Sequence, residues 1–195
     1  MAVKHSNTTS DYLPWDTMLS LVHKLYRDGD YKMSLLIGCG SFFGLRISDL
    51  RQLTWSDLLD GNTISLNETK TGKSRTIKIN VGFRKHIQDC YNKLGITDKS
   101  QKVFISRKGC IYSTQQINRL FKQFKSRYGL RIDHFSTHSL RKTFGRRVVE
   151  QAGVQSEMAL IKLSEIFNHA SPMVTRRYLG FRQQELYEIY DKLDF

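Results

Sequence analysis

A mostly α-helical fold with a small antiparallel β-sheet, of the α+β class, is predicted by three features of this sequence. Apolar residues recur at helical spacing along most of the chain, two short segments alternate apolar and polar residues instead, and a Lys-Thr-Gly-Lys turn joins those two segments. Met1 to Tyr12 is polar and reads as a linker stub or tail, so order is expected from Leu13-Pro14-Trp15-Asp16 onward. Asp16 is positioned to cap a first helix whose apolar residues include Leu19, Leu21, Val22 and Leu25. A second helix, Tyr31 to Phe43, is apolar almost all round and belongs inside the core, and Gly44 ends it. Thr63 to Glu68 carries Ile64 and Leu66 in alternation, Ser74 to Asn80 carries Ile77 and Ile79, and Lys70-Thr71-Gly72-Lys73 makes the hairpin turn between them. Val103-Phe104-Ile105 is expected to add a third short strand. From Gln115 onward the pattern is helical: Ile117, Leu120, Phe121 and Phe124 share one face, and Leu140, Phe144 and Val148 share another. The main domain therefore spans 13–180, and 181–195 forms an amphipathic tail with Leu186, Ile189, Tyr190 and Leu193 at helical spacing.

The charge balance narrows the partner. With 31 Lys+Arg against 18 Asp+Glu, the 195-residue chain carries a formal +13, which points to a polyanion, and to nucleic acid ahead of a membrane surface. Apolar residues at 39% and charged residues at 25% are ordinary for one globular core. No apolar run approaches the roughly 20 residues that span a bilayer, and Met1 to Ser6 lacks the apolar centre of a signal peptide, so a cytoplasmic location is expected. Cys39, Cys90 and Cys110 are widely separated and lack CxxC spacing, so they read as buried thiols rather than disulfides or zinc ligands. Basic residues are unevenly placed. No acid occurs between Thr69 and His86, where Lys70, Lys73 and Arg75 fall, and none occurs between Asp98 and Asp133, where Arg119, Lys122 and Lys125 fall. Such surfaces suit a groove along a phosphate backbone, and the helix from Gln115 to Arg127 is the candidate for groove contacts.

Four places can carry chemistry. Ser136 or Thr137 can cap a helix, which puts His138 and Arg141 one turn apart on one side: a proton-transfer group beside a bidentate anion donor at a helix start. Arg46 follows the helix-breaking Gly44, with Asp49 near enough to hold its guanidinium. Lys70 sits at the tip of the acid-free hairpin. Finally, His169 precedes Tyr178, whose phenol is ionised to only about one part in a thousand at neutral pH and needs help to act as a nucleophile. A metal hydrolase built on His134 and His138 is not supported, because Phe135-Ser136-Thr137 is loop and cap and HExxH is missing.

In this order and spacing the motifs resemble the catalytic domain of the tyrosine recombinases, the phage-integrase-like enzymes. The resemblance rests on Gly44-Leu45-Arg46-Ile47-Ser48-Asp49-Leu50, on Lys70-Thr71-Gly72-Lys73-Ser74-Arg75, on His138-Ser139-Leu140-Arg141-Lys142-Thr143-Phe144, and on Asn168-His169-Ala170-Ser171 followed by Thr175-Arg176-Arg177-Tyr178-Leu179. It implies that Tyr178 attacks a DNA phosphate to form a 3′-phosphotyrosyl linkage, with no metal, ATP or other cofactor. It further implies that Arg46 and Arg141 clamp the phosphate oxygens, that His138 helps take the phenolic proton, that His169 hydrogen-bonds the phosphate, and that Lys70 protonates the leaving 5′-hydroxyl. Asp49 would orient Arg46 or a histidine from behind. Lys73, Arg75, Arg119, Lys122, Lys125, Lys142, Arg176 and Arg177 are the expected DNA contacts. Double-stranded DNA is the implied substrate, with a tetramer on two synapsed sites, a monomer without DNA, a nucleoid-associated bacterial or phage-type setting and a role in integration or mobile-element recombination. The tail at 181–195 either caps its own domain or docks on a neighbouring protomer. The family's N-terminal DNA-clamping domain has no counterpart in residues 1–12, so an isolated catalytic domain is expected, and Asn168 stands where a left-handed backbone is expected. Two other classes share the basic face: a DNA-binding module without turnover, and a type IB topoisomerase-like relaxing activity.

Overall fold

The computed structural model describes residues 10–181 together with Tyr187, Tyr190, Asp191 and Leu193. Helix α1 (Trp15–Arg27) is amphipathic and buries Met18, Leu21, Val22 and Leu25. Its N-cap is Pro14, which has no side chain to accept a hydrogen bond. Asp16, expected as the cap, lies inside the first turn, where its charge complements the helix dipole. Helix α2 (Tyr31–Phe43) is buried on nearly every face and forms the centre of the larger core; Asp30 caps it at Met33 N (3.3 Å). Gly44 ends it in the left-handed conformation (φ 57°), a region in which a side chain is disfavoured.

The short helices α3 (Ile47–Leu50) and α4 (Trp55–Leu59) lead into strands β1 (Thr63–Asn67) and β2 (Ser74–Lys78). The strands pair antiparallel, with Ile64 opposite Ile77 and Leu66 opposite Arg75. Helix α5 (Val81–Leu94) covers α2, with Phe83 stacked on Phe42. Helix α6 (Thr114–Arg127) starts at a capping box formed by Ser113 and Gln116 and buries Ile117, Phe121 and Phe124. Helix α7 (Thr137–Ala152) crosses α2 closely, because Gly40 leaves room for the Leu140 side chain against the backbone. After a 3₁₀ turn at Gly153–Gln155, helices α8 (Ser156–Phe167) and α9 (Pro172–Leu179) pack on each other and on α7. Their shared apolar cluster of Val149, Ala159, Leu160, Leu163, Phe167 and Leu179 is separate from the larger core.

Three further expectations are corrected. Val103 to Ile105 forms no strand: Val103 N donates to Leu53 O (2.9 Å) while Tyr112 N donates to Phe104 O (3.0 Å), so the segment divides its bonds between two partners. Val103 and Phe104 are nevertheless fully buried. Residues 10–12 are packed rather than a tail, since Asp11 exchanges bonds with His134 and the Arg146 guanidinium lies over the Tyr12 ring. Cys110 is exposed, in contrast to buried Cys39 and Cys90. Most of the tail expected at 181–195, including Leu186 and Ile189, lies outside the described residues; Tyr190 and Leu193 are exposed. Among the described residues, no helix is long and apolar enough to cross a membrane.

Candidate active site

At the start of α7 the Ser136 hydroxyl accepts from His138 N (3.2 Å), as expected of a cap, and this sets His138 in the first turn. One turn later Arg141 is buried, with its guanidinium stacked over the Phe167 ring at 4.1 Å. Its Nη1 donates to Gly44 O (2.7 Å) and its Nη2 to Phe167 O (3.0 Å). Arg46, at the N-cap of α3, sends its Nη2 to the same Phe167 oxygen (3.0 Å). Phe167 closes α8, so two guanidiniums satisfy a carbonyl at the negative end of a helix dipole. Burial draws the Arg141 pKa down to about 10, which still leaves it charged at neutral pH.

Asn168 then turns the chain at φ 51°, the single positive-φ residue other than glycine among those described, as the sequence suggested for this position. The turn brings His169 back over the cleft. Its Nδ1 shares a hydrogen bond with the buried Thr175 hydroxyl (2.9 Å), and its ring meets the Tyr178 ring edge to face at 5.3 Å. Burial, with Arg141 and Arg46 nearby, lowers the His169 pKa to about 4, so the imidazole is neutral. His138 is exposed, but its partial desolvation at the cleft, with Lys142 and Arg141 adding to the effect, lowers its pKa as well. For Tyr178, burial raises the phenol pKa against the opposing pull of Arg141 and Arg46. The Tyr178 hydroxyl is buried and has no hydrogen-bond partner among the described residues.

Arg46, Lys70, His138, Arg141, His169 and Tyr178 thus line one open cleft of about 470 Å³, with Lys70 reaching it from the exposed hairpin turn. Among the described residues one acid ion-pairs with a cation of the cleft, and sequence reasoning missed it. Glu68 is buried; its Oε2 pairs with Arg46 Nη1 at 2.5 Å, and its Oε1 lies 3.7 Å from Arg75 Nη1. Asp49, expected behind Arg46, instead accepts from Thr69 N (2.9 Å) and Ser48 Oγ (3.3 Å). Among the described residues no three His, Cys, Asp or Glu side chains cluster as metal ligands.

The expected DNA contacts divide. Arg119, Lys122, Lys73 and Arg177 are exposed, and Lys73 Nζ donates to Asn168 Oδ1 (2.8 Å) across the mouth of the cleft. Lys125 is half-buried and donates to Asp133 O (3.1 Å), and Arg176 pairs with Glu157 (3.2 Å). Two are corrected. Arg75 is an internal strut that donates to Phe43 O (2.7 Å), and its side chain is 14% exposed. Lys142 is 4% exposed, with its ammonium 5.3 Å from the centre of the Tyr178 ring.

The phage integrase family profile matches residues 17–185. The chain belongs to that family. Among its relatives, "Probable integrase/recombinase YoeC" of Bacillus subtilis is 30% identical over 136 residues, covering 70% of each protein. "Tyrosine recombinase XerH" of Campylobacter jejuni is 24% identical over 83% of this chain, which spans 44% of that protein. The chain thus covers less than half the length of some relatives. In fold, the crystal structure of XerA recombinase superposes with a TM-score of 0.70 at 20% identity, over 100% of this chain and 68% of that one. Family and fold together are those of a tyrosine recombinase catalytic domain.

Proposed function

We propose that this chain is the catalytic part of a site-specific recombinase that breaks and rejoins double-stranded DNA through a 3′-phosphotyrosyl intermediate. The observation that carries the proposal is the convergence of two guanidiniums, two imidazoles with lowered pKa, a turn lysine and a phenol with a buried hydroxyl on one cleft. The Tyr178 oxygen attacks phosphorus in line with the 5′-oxygen, and the phenolic proton passes to neutral His138. As the bond from phosphorus to the 5′-oxygen breaks, Lys70 donates a proton to the departing alkoxide. Arg46 and Arg141 hold the non-bridging oxygens as negative charge builds, a role in which one lost donor costs about 3 kcal/mol. His169, aligned by Thr175, donates to a phosphate oxygen. The phosphodiester energy is kept in the phosphotyrosine, so the reverse attack by a DNA 5′-hydroxyl reseals the strand without ATP. Charge stabilisation by two guanidiniums makes a metal ion unnecessary for this chemistry.

Exposed Arg119 and Lys122 on α6, with Lys73 at the cleft mouth, are suited to the DNA backbone. Assembly as a tetramer on two synapsed sites is proposed as well, and exposed Met158 and Ile161 on α8 beside Met173 and Val174 on α9 favour an apolar protein contact there. Deleting 182–195 should then weaken assembly on DNA; unchanged assembly would remove the tail from that role. The cleavage proposal is tested by incubation with nicked suicide substrates. A denaturation-resistant protein–DNA adduct is expected from the wild type and none from Tyr178→Phe. Salt-dependent binding with no adduct would favour a non-catalytic DNA-binding module, and relaxation of supercoils without recombination would favour a topoisomerase-like role.

A further inference from the structure

Glu68 is assigned no part in the chemistry above, yet one of its oxygens touches both halves of the cleft. Oε2 accepts from Arg46 Nη1 at 2.5 Å and from the Thr71 hydroxyl at 3.0 Å. Thr71 directly follows Lys70 in the turn between β1 and β2. The same residue anchors that turn through its backbone: Glu68 O accepts from Gly72 N (2.8 Å) and Thr71 N (3.3 Å), and Glu68 N donates to Lys73 O (2.9 Å). On the other side of Lys70, Thr69 N is fixed on the buried Asp49 (2.9 Å). Lys70 itself is exposed, so its placement depends on these flanking bonds rather than on packing.

We propose that Glu68 is a positioning residue that couples the phosphate clamp to the acid-bearing turn, so that the Arg46 guanidinium and the Lys70 ammonium are set by a single carboxylate oxygen. This rests on the cleavage role proposed above for the cleft. The carboxylate suits the task chemically. Oε2 takes two donors, while Oε1 makes no hydrogen bond among the described residues and lies 3.7 Å from the Arg75 guanidinium, so both oxygens of the carboxylate face donor groups. A glutamine can offer its carbonyl oxygen to Arg46 and Thr71 only by turning its NH₂ toward Arg75, donor against donor. An aspartate keeps the charge but withdraws it by one methylene. Neither substitution preserves both links without a new mismatch.

The test separates the two halves by the leaving group. A substrate with sulfur at the 5′-bridging position needs no proton donor, so it restores variants whose defect lies in the acid and leaves clamp defects unchanged. Full restoration of Lys70→Ala and none of Arg46→Ala calibrate the assay. Thr71→Val, which removes only the link from Glu68 to the turn, should slow adduct formation on the oxygen substrate about tenfold, a part of the roughly 10²–10⁴-fold that a positioned general acid supplies, and sulfur should restore it fully. Glu68→Gln should slow it at least as much, with sulfur restoring only part, because Arg46 is also released. A purely structural loss would lower both substrates equally and show no sulfur effect. Glu68→Gln within twofold of wild type, or a Thr71→Val defect that is absent or unmoved by sulfur, overturns the proposal. If Glu68→Gln does not fold, Thr71→Val alone decides the matter. Failure of the wild type to form any adduct would instead sink the cleavage role itself.

Discussion

Arg46 and Arg141 donate to one acceptor, the carbonyl oxygen of Phe167, each at 3.0 Å. Two guanidiniums far apart in sequence are thereby held at a fixed separation by the last carbonyl of α8. Their mutual repulsion is offset by Glu68 on one side and by the helix dipole on the other. Preorganisation of this kind is what a charge-stabilising site requires, because no side chain has to be gathered as the reaction proceeds.

Arg141→Lys should therefore retain the charge yet lose the planar fork that reaches Gly44 O and Phe167 O together. Adduct formation in single-turnover cleavage should fall by about 10²–10³-fold. A variant within a factor of a few of wild type would show that geometry is dispensable there.

The neutral form of His138 is the one that can accept a proton. Partial desolvation, Lys142 and Arg141 hold its pKa below the ordinary 6.5, so cleavage should be level through neutral pH and decline only as pH falls through that lowered value. Lys142→Met removes one of the depressing cations and should move the acidic limb to higher pH. A wild-type limb centred at or above 6.5 would contradict this environment.

Stability should carry its own pH dependence from His169. Its folded pKa of about 4 lies below the unfolded 6.5, so the unfolded chain takes up the proton first. The contribution is present above pH 6.5 and is lost as pH falls from 6.5 toward 4. Urea titrations across that window should give a shallower decline for His169→Asn than for the wild type, and identical slopes would rule the assignment out.

Asn168→Ala should destabilise the fold by about 1–2 kcal/mol, the cost of a left-handed backbone at a residue with Cβ and no compensating side-chain bond. It also removes the acceptor for Lys73 Nζ at the cleft mouth. Asn168→Gly should keep the backbone and lose only that contact, and equal stability loss in both variants would contradict the backbone argument.

If α6 lies along DNA, Arg119→Ala and Lys122→Ala should each reduce the slope of log affinity against log salt by about 0.9. Binding isotherms at several salt concentrations measure this directly. Arg75→Ala should leave the slope unchanged while lowering stability, since its guanidinium faces Phe43 O and Glu68 rather than solvent.

Much of this arrangement was legible in the residues themselves. The all-round apolarity of Tyr31–Phe43 and the glycine after it give the central helix with its observed bounds, and Ser136 fixes the phase that puts His138 and Arg141 one turn apart. Long-range partners were less legible. Asp49 is close to Arg46 in sequence, but the backbone at Arg46 is extended before α3 begins, and the acid that reaches its guanidinium comes from the residue just after β1. A signal for Glu68 did exist. Ile64, Leu66 and Glu68 follow the two-residue period of a strand, as do Arg75, Ile77 and Ile79, so an acid and a base fall on the inward face together. The burial of Lys142 is not legible locally, because nothing near it in sequence reveals that α9 closes over it; that depends on Gly145, against which Leu179 and Phe167 pack.

The most direct measurement is to trim the DNA from a wild-type adduct with nuclease, digest the protein and locate the modified residue by mass spectrometry. A nucleotide joined through its 3′-phosphate to Tyr178 is the expected product. Attachment at Tyr187, Tyr190 or any other side chain, or through a 5′-phosphate, would contradict the role assigned to this cleft.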